Sequence, residues 1–408
     1  MLPAWLNRNV AGMTLTSFLA DVGYEMVTAV LPGFLNTIGV RALALGWIEG
    51  LADGAASVIK LAAGWWSDRI GHRKAMVAFG YFLTGTALAV FALAASWPLI
   101  LLGRLVAWFG KGIRGPLRDA MLAESVPEHA RGRAFGLHRA GDTAGAVLGP
   151  LIGVALLAFL PAPSAAAPFR AVFVLSLIPG LASVASLVAL VRETRRSPQP
   201  HLRLWGATRD LPRPYLRFLA GVGVFGLGDF SHTLLVLAAA QLLAGPLGAV
   251  RAGQLAALLY ALRNLSYAGI SFPVGALADR ISKPGLLASG YVLGSLTALL
   301  TAVLFTFRIT APGALAAVFA LAGIYIGIQD ALEGAIPAEM TPPAARGTAY
   351  GLMGAVNGFG DFAASVLLGA LWTAVSPQAG FAAAGLVMLA GALLTARTPG
   401  VRSSAVLL

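Results

Sequence analysis

The sequence predicts an all-α membrane protein of twelve transmembrane helices, arranged as two pseudo-symmetric six-helix bundles. Three observations carry that expectation. The 408-residue chain is 58% hydrophobic and 11% charged, with a mean hydropathy of +0.80. No soluble fold buries that much apolar surface, so lipid must solvate it. The apolar stretches recur to the end of the chain and are long enough to span, since about 20 helical residues cross a core about 30 Å thick. Finally, a repeat sits at half the chain length. Gly64-Trp65-Trp66-Ser67-Asp68-Arg69-Ile70-Gly71-His72-Arg73-Lys74 returns in degraded form as Gly275-Ala276-Leu277-Ala278-Asp279-Arg280-Ile281-Ser282-Lys283, each copy a charged turn closing an apolar run.

Hydropathy, punctuated by glycine, proline and charge clusters, places the first six spans near 12–36, 44–66, 75–95, 98–120, 133–158 and 170–191. The second six fall near 215–242, 252–277, 285–307, 312–336, 346–373 and 379–396. The intervening segment is polar, proline-bearing and rich in arginine. The expected organisation is therefore a first bundle over 1–191, a linker over 192–214 and a second bundle over 215–408. The first stretch lacks the short apolar core and cleavage site of a signal peptide and reads as a retained span.

Basic loops at 68–74, 128–133, 279–283, 345–347 and 397–402 alternate with cation-free ones at 161–168 and 376–378. By the positive-inside rule both termini face the cytoplasm. Arg41, Arg170, Arg251 and Arg308 fall on the other side as exceptions. Loop asymmetry accounts for the net charge of +12, so the expected surroundings are a lipid bilayer and no nucleic acid. The absence of cysteine excludes disulfides, thiolate metal sites and thiol catalysis.

The repeat extends further. Arg131-Gly132-Arg133-Ala134-Phe135-Gly136-Leu137 matches Arg346-Gly347-Thr348-Ala349-Tyr350-Gly351-Leu352, and span 1 aligns with span 7, placing Asp21 opposite Asp229. Two related halves imply a pocket between them.

These residues resemble the major facilitator superfamily over essentially the whole chain. Gly64, Asp68, Arg69, Gly71, Arg73 and Lys74 match its signature loop between spans 2 and 3. The run Gly145-Ala146-Val147-Leu148-Gly149-Pro150-Leu151-Ile152-Gly153 is similar to the glycine-proline motif of the family's antiporters. Span 4 departs from the pattern of its drug antiporters, in which an arginine is followed four residues later by glycine; here Arg104 is followed by Trp108. The run from Gly110 to Asp119 resembles instead a poorly characterised bacterial branch.

The resemblance implies a monomeric, non-enzymatic secondary transporter of the bacterial cytoplasmic (inner) membrane. It would rock one bundle against the other, use the proton gradient in place of any cofactor, and export a small organic molecule in exchange for protons. Proton-coupled uptake of an organic anion, metal-ion export and a non-transporting sensor stay open as alternatives. No G-x-x-x-x-G-K-[ST] loop is present, so ATP drive is not expected. The signature loop would latch the halves on the cytoplasmic side, with Asp68 near the positive end of span 11 and Asp119 as a partner for Arg69 or Arg73.

Independently of the resemblance, ionisable residues inside spans mark function, because each costs about 2.5–3.5 kcal/mol at mid-membrane. They occupy span 1 (Asp21, Glu25), span 2 (Glu49, Asp53, Lys60), span 4 (Arg104, Lys111, Arg114) and span 5 (Arg139, Asp142). In the second half they occupy span 7 (Asp229, His232), span 8 (Arg263), span 10 (Asp330, Glu333) and span 11 (Asp361). The interiors of spans 3, 6, 9 and 12 have none and should face lipid.

At a rise of about 1.5 Å per residue, Asp21 and Asp142 lie about 14 Å deep and Glu25 and Asp53 about 20 Å. Lys60, Lys111 and Arg139, at about 9–10 Å, form a cationic tier below them. Asp21 and Glu25 share one helix face, as do Glu49 and Asp53. Crowded carboxylates resist simultaneous ionisation, the property a proton carrier needs, so Asp21, Glu25, Asp53 and Asp142 are the proton-coupling candidates.

Glu49, Lys60, Arg104, Lys111, Arg139, Asp229, His232, Arg263 and Asp361 are the pocket candidates. Their cations either hold an anionic group of the substrate or counter-charge the acids. Trp108 and Phe109 are candidates for an apolar wall. His72, His129, His138 and His201 fall in or near loops and should be solvated. No cluster has metal-ligand spacing, so no metal site is expected.

Overall fold

A computed structural model describes residues 5–70, 72–126, 131–193, 211–278, 281–341 and 346–398. The first half contains α1 (Arg8–Thr37), α2 (Ala42–Ile70), α3 (Lys74–Ala87, continued by a 3-10 turn Leu88–Leu93), α4 (Trp97–Glu124), α5 (Arg131–Phe159), α6 (Ala167–Leu175) and α7 (Leu177–Leu190). The second contains α8 (Arg213–Gly226), α9 (His232–Leu247), α10 (Ala249–Ala278), α11 (Lys283–Thr306), α12 (Pro312–Met340), α13 (Arg346–Ala374) and α14 (Pro377–Ala396). With α6 running on into α7 and α8 into α9, these make twelve rods, six in each half. The chain begins and ends on one face of the bundle, here the terminal face; the opposite face is the distal one. Most of the predicted linker lies outside the described residues.

Nine rods among the described residues are long and apolar enough to cross a membrane. The others are α4, α10 and the pair α8 and α9, which carry polar groups or a break. The predicted seventh span, 215–242, is two helices separated at 227–231. A Cβ on Gly228 would lie 2.5 Å from the Ala384 carbonyl, so the chain passes close against α14 there. The Ser231 N–H then turns to Ser365 Oγ (3.0 Å) in place of a helical carbonyl. Span 2 also runs further than predicted, through Asp68 and Arg69 to Ile70. Charged residues need not end a helix where it leaves hydrocarbon.

Where the expected lipid-facing spans lie, α3, α7, α11 and α14 expose Phe79 and Phe82, Ile178 and Leu181, Val292 and Val303, Leu386 and Leu393. By contrast, α1 is interior, with Val27, Val30, Leu31 and Phe34 fully buried. Asn7 starts it, its Oδ1 accepting from the N–H groups of Asn9 and Val10, both at 3.0 Å, which satisfies two orphan donors of the first turn. Arg170, an exception to the loop-charge rule, gives its guanidinium to the carbonyls of Ala92 (2.5 Å) and Ala94 (2.7 Å). It closes the end of the 3-10 turn.

The halves meet along two related seams, α2 against α13 and α5 against α10. Small residues let the backbones touch: a Cβ on Gly46 would lie 2.2 Å from the Ser365 carbonyl, and one on Gly369 2.7 Å from that of Ala42. Gly33 and Gly253 are apposed in the same way. Glycines with positive φ, Gly39 (+69°) and Gly248 (+75°), make the tight distal connections before α2 and α10, at equivalent places in the two halves. These contacts seal the distal side, while α4 and α12 form no packed seam on the terminal side among the described residues.

The signature loop is tied to its own half. Its Gly71, the surroundings of Gly64 and the side chains of Asp68 and Arg69 lie outside what is described. Arg73 pairs with Glu124 at 2.5 Å, and Asp119 pairs with its neighbour Arg118 at 2.9 Å, which corrects the Arg73–Asp119 contact of the two expected; the alternative, Arg69–Asp119, lies outside the described side chains. Asp119 sits more than a turn short of the end of α4, whereas Glu124 is at that end. Glu193 accepts from the backbone N–H groups of Arg73 (2.5 Å) and Lys74 (3.1 Å) at the start of α3. Partial burial works to raise its pKa, but these two N–H groups, with His72 beside them, hold it below the ordinary glutamate range.

A group with a depressed folded pKa contributes stability above its unfolded pKa and loses it as pH falls through the folded value. Glu193→Gln should therefore lower stability by about 0.5 kcal/mol at pH 7, with the difference from wild type fading below pH 4 in thermal melts. Gly46→Val should open the distal seam. Spin labels on cysteines introduced at Val40 and Val375, unique because the chain has none of its own, should show a longer distance in that variant.

Candidate functional site

Two hollows lie at mid-span between the halves. The larger, about 250 Å³, is walled by Asp21 and Glu25 of α1, Lys111 of α4 and Arg139 and Asp142 of α5. Facing them are His232 of α9, Tyr260, Arg263, Asn264 and Tyr267 of α10 and Asp330 of α12. The smaller, about 170 Å³, is walled by Glu49 and Asp53 of α2, Trp108 of α4, Asp229, Ser231, Tyr325 and Asp361. His232 and Arg263 belong to both walls, so the hollows adjoin.

In the first half acids are met by guanidinium groups. Arg104 and Glu49 form a fully buried pair at 2.9 Å. Arg104 also donates to Thr28 Oγ1 at 3.2 Å and lies over the rings of Tyr24 and Trp108. Asp21 lies 3.6 Å from Arg114, and Asp142 lies 3.7 Å from Arg139 and 3.9 Å from Arg118. Arg118 is aimed by a buried cluster in which Ser17 Oγ accepts from it at 3.1 Å and contacts Tyr81 Oη and His138 Nε2, both at 2.8 Å. His138, expected to be solvated, is wholly buried. It lies two turns into α5, far enough along to enter the bundle.

The second half uses neutral donors instead. Asp229 accepts from Tyr325 (3.1 Å) and Gln329 (3.0 Å), and Glu333 from Tyr291 (2.5 Å) and Asn357 (2.6 Å). Among the described residues four polar contacts cross between the halves: Tyr260 Oη donates to Glu25 at 2.7 Å, Ser231 Oγ to Glu49 at 3.4 Å, Asn264 Nδ2 to the Ala146 carbonyl at 2.9 Å and, at the distal end, the Leu43 N–H to Thr373 Oγ1 at 3.0 Å. The His232 ring stacks on Tyr260, with Nε2 3.1 Å from its hydroxyl.

Most of the predicted residues are brought together. Asp21, Glu25, Lys111, Arg139, Asp142, His232 and Arg263 share the larger hollow; Glu49, Asp53, Asp229 and Asp361 line the smaller. Two do not belong: Lys60 is exposed on α2, and Arg104 is sealed behind Glu49; neither lines a hollow. The cationic tier is thus Lys111 and Arg139 without Lys60. Trp108 walls the smaller hollow as proposed, whereas Phe109 is exposed.

The span 5 glycines serve close approach. A Cβ on Gly145, Gly149 or Gly153 would lie 2.6, 2.8 or 3.2 Å from the carbonyls of Phe18, Val22 and Met26. With Pro150 in its interior, α5 is pressed against the helix that carries Asp21 and Glu25. Sequence reasoning missed Tyr260, Asn264 and Tyr267, whose spacing on one helix face was their only signal.

The model of the Major Facilitator Superfamily matches residues 13–250 and 224–405. An uncharacterized MFS-type transporter of Methanocaldococcus jannaschii is 28% identical over 389 residues, covering 95% of this chain and 94% of that protein. An uncharacterized protein of Mycobacterium bovis is 31% identical over 395 residues, covering 91% and 88%. The quinolone resistance protein NorA of Staphylococcus aureus is 25% identical over 148 residues, 36% of this chain and 38% of that one. Among solved structures, a POT family transporter in complex with a thioalcohol-conjugated peptide superposes with a TM-score of 0.77 at 12% identity, covering 95% of each chain. A D-xylose–proton symporter gives 0.71 at 18% identity, covering 96% and 98%.

Removing one partner of a buried pair strands the other charge. Glu49→Gln should lower the stability of the purified protein by about 3–5 kcal/mol, and Glu49→Gln with Arg104→Met should recover most of it. Equal thermal melts for the single and double variants would exclude the stranded guanidinium as the cause.

Proposed function

The chain belongs to the Major Facilitator Superfamily, and on that premise we propose that this multi-pass secondary transporter exports a small organic molecule in exchange for protons. The observation that carries the reading is the larger hollow. Three carboxylates of the first half, Asp21, Glu25 and Asp142, open onto it between halves that, among the described residues, pack closely on the distal side. The partial likeness to a quinolone resistance protein supports efflux, as does the glycine-proline run of α5.

Asp21, Glu25, Asp142 and, in the adjoining hollow, Asp53 are the proton carriers in this reading. A proton on Asp21 cancels its attraction to Arg114, and one on Asp142 its attraction to Arg118 and Arg139. Proton arrival thereby re-sorts the charges facing the substrate. The halves are 1–191 and 215–408, joined by 192–214, in the cytoplasmic membrane of a bacterium with both termini inside. The sealed distal side then faces outward, and Gly64, Asp68, Arg69, Gly71, Arg73, Lys74 and Asp119 form the inner gate.

In proteoliposomes holding a pH-sensitive dye, solutes from a chemically varied panel should evoke proton flux. Combining Asp21→Asn, Glu25→Gln, Asp53→Asn and Asp142→Asn should abolish that flux, and the triple variant that keeps Asp53 should retain solute–solute exchange, which requires no proton. Undiminished flux in the fourfold variant would overturn the assignment.

A further inference from the structure

Seven charged side chains lining the hollows have no ion-pair partner among the described residues; Glu25, Asp229 and Asp330 are met by neutral hydroxyl or amide groups, and the other four fall into two opposite pairs. In the larger hollow these are cations. Lys111 Nζ lies over the rings of Tyr24 and Trp108, at 4.6 and 4.4 Å, with no ion pair among the described residues. Arg263 donates to the amide of Asn264 at 2.9 Å. The acids nearby are engaged elsewhere: Asp21 with Arg114, Asp142 with Arg139, Glu25 with the Tyr260 hydroxyl and Asp330 with that of Tyr267.

In the smaller hollow the unpaired charges are acids. Asp53 and Asp361 line it with neither a hydrogen bond to the carboxylate nor an ion pair. Beside them is Glu49, fully buried, whose Oε1 has no partner although Oε2 holds Arg104. Each pair takes one member from each half: Lys111 and Arg263 from α4 and α10, Asp53 and Asp361 from α2 and α13. Arg263 lines both hollows, so the positive pole borders the negative one.

Unpaired charges half-buried in such hollows are costly. A ligand with one charge relieves one pole and leaves the other. A ligand with both relieves both, and draws the halves together at each. We infer that the transported molecule is a small zwitterion, its carboxylate bridging Lys111 and Arg263 and its ammonium held by Asp53, Asp361 and the free oxygen of Glu49. The inference rests on the transporter reading and supplies its substrate class. Hollows of about 250 and 170 Å³ suit solutes of amino-acid to dipeptide size.

The test is equilibrium binding to the full-length protein in detergent, by thermal shift and calorimetry. The probes are phenylalanine and alanylphenylalanine, each with its counterpart lacking the amine and its counterpart lacking the carboxylate. At least one zwitterion should bind about tenfold more tightly than either counterpart. Lys111→Gln should weaken the zwitterion and the carboxylate-only probe while sparing the amine-only probe; Asp361→Asn should do the reverse. Lys111→Arg and Asp361→Glu should retain binding, and Arg263→Gln replaces Lys111→Gln if that variant does not fold.

The inference is overturned if neither zwitterion binds the wild type, if the single-charge probes bind as tightly, or if both variants weaken all three probes alike. Binding needs no gradient, so a protein that binds zwitterions but moves no protons sinks only the antiport reading. One that exchanges protons for solutes lacking either charge sinks only this inference.

Discussion

A carboxylate or guanidinium turned toward hydrocarbon costs several kcal/mol, so the ionisable groups of this chain can only turn toward one another. Eight rods carry them in their interiors and four do not, and those four, α3, α6 with α7, α11 and α14, expose apolar side chains such as Phe79, Ile178, Val292 and Leu386. The hollows, the seams and the packing of α5 on α1 all follow from pooling charge between two halves that must still be able to separate.

The halves solve the same problem by different chemistry. In the first, Glu49, Asp21 and Asp142 are answered by arginines; in the second, Asp229 and Glu333 are answered by tyrosine, glutamine and asparagine. An ion pair changes strength abruptly when one partner gains a proton, whereas a hydroxyl or amide donor is far less affected. Protonation of an acid would therefore change more in the first half than in the second, whose acids are held by neutral donors.

Fold class, rod order and the inward-facing residues were legible because they rest on signals each rod carries alone: hydropathy and the presence or absence of charge. Partner choice was not. Arg73 finds Glu124 rather than Asp119 because of where α4 ends against the loop, and Arg104 vanishes behind Glu49 through an angle between two helices. The break at 227–231 was hidden for a similar reason: the segment is apolar enough to continue, and its interruption depends on the nearness of α14 and Ser365. Neutral contributors such as Tyr260 carry no charge penalty to betray them, so composition passed over them.

The two seams have a consequence for how the molecule is assembled. Residues of α2 cover α13, and the counterpart of α2 in the second half, α10, covers the counterpart of α13, α5. This is the isologous geometry of a twofold homodimer, written into a single polypeptide.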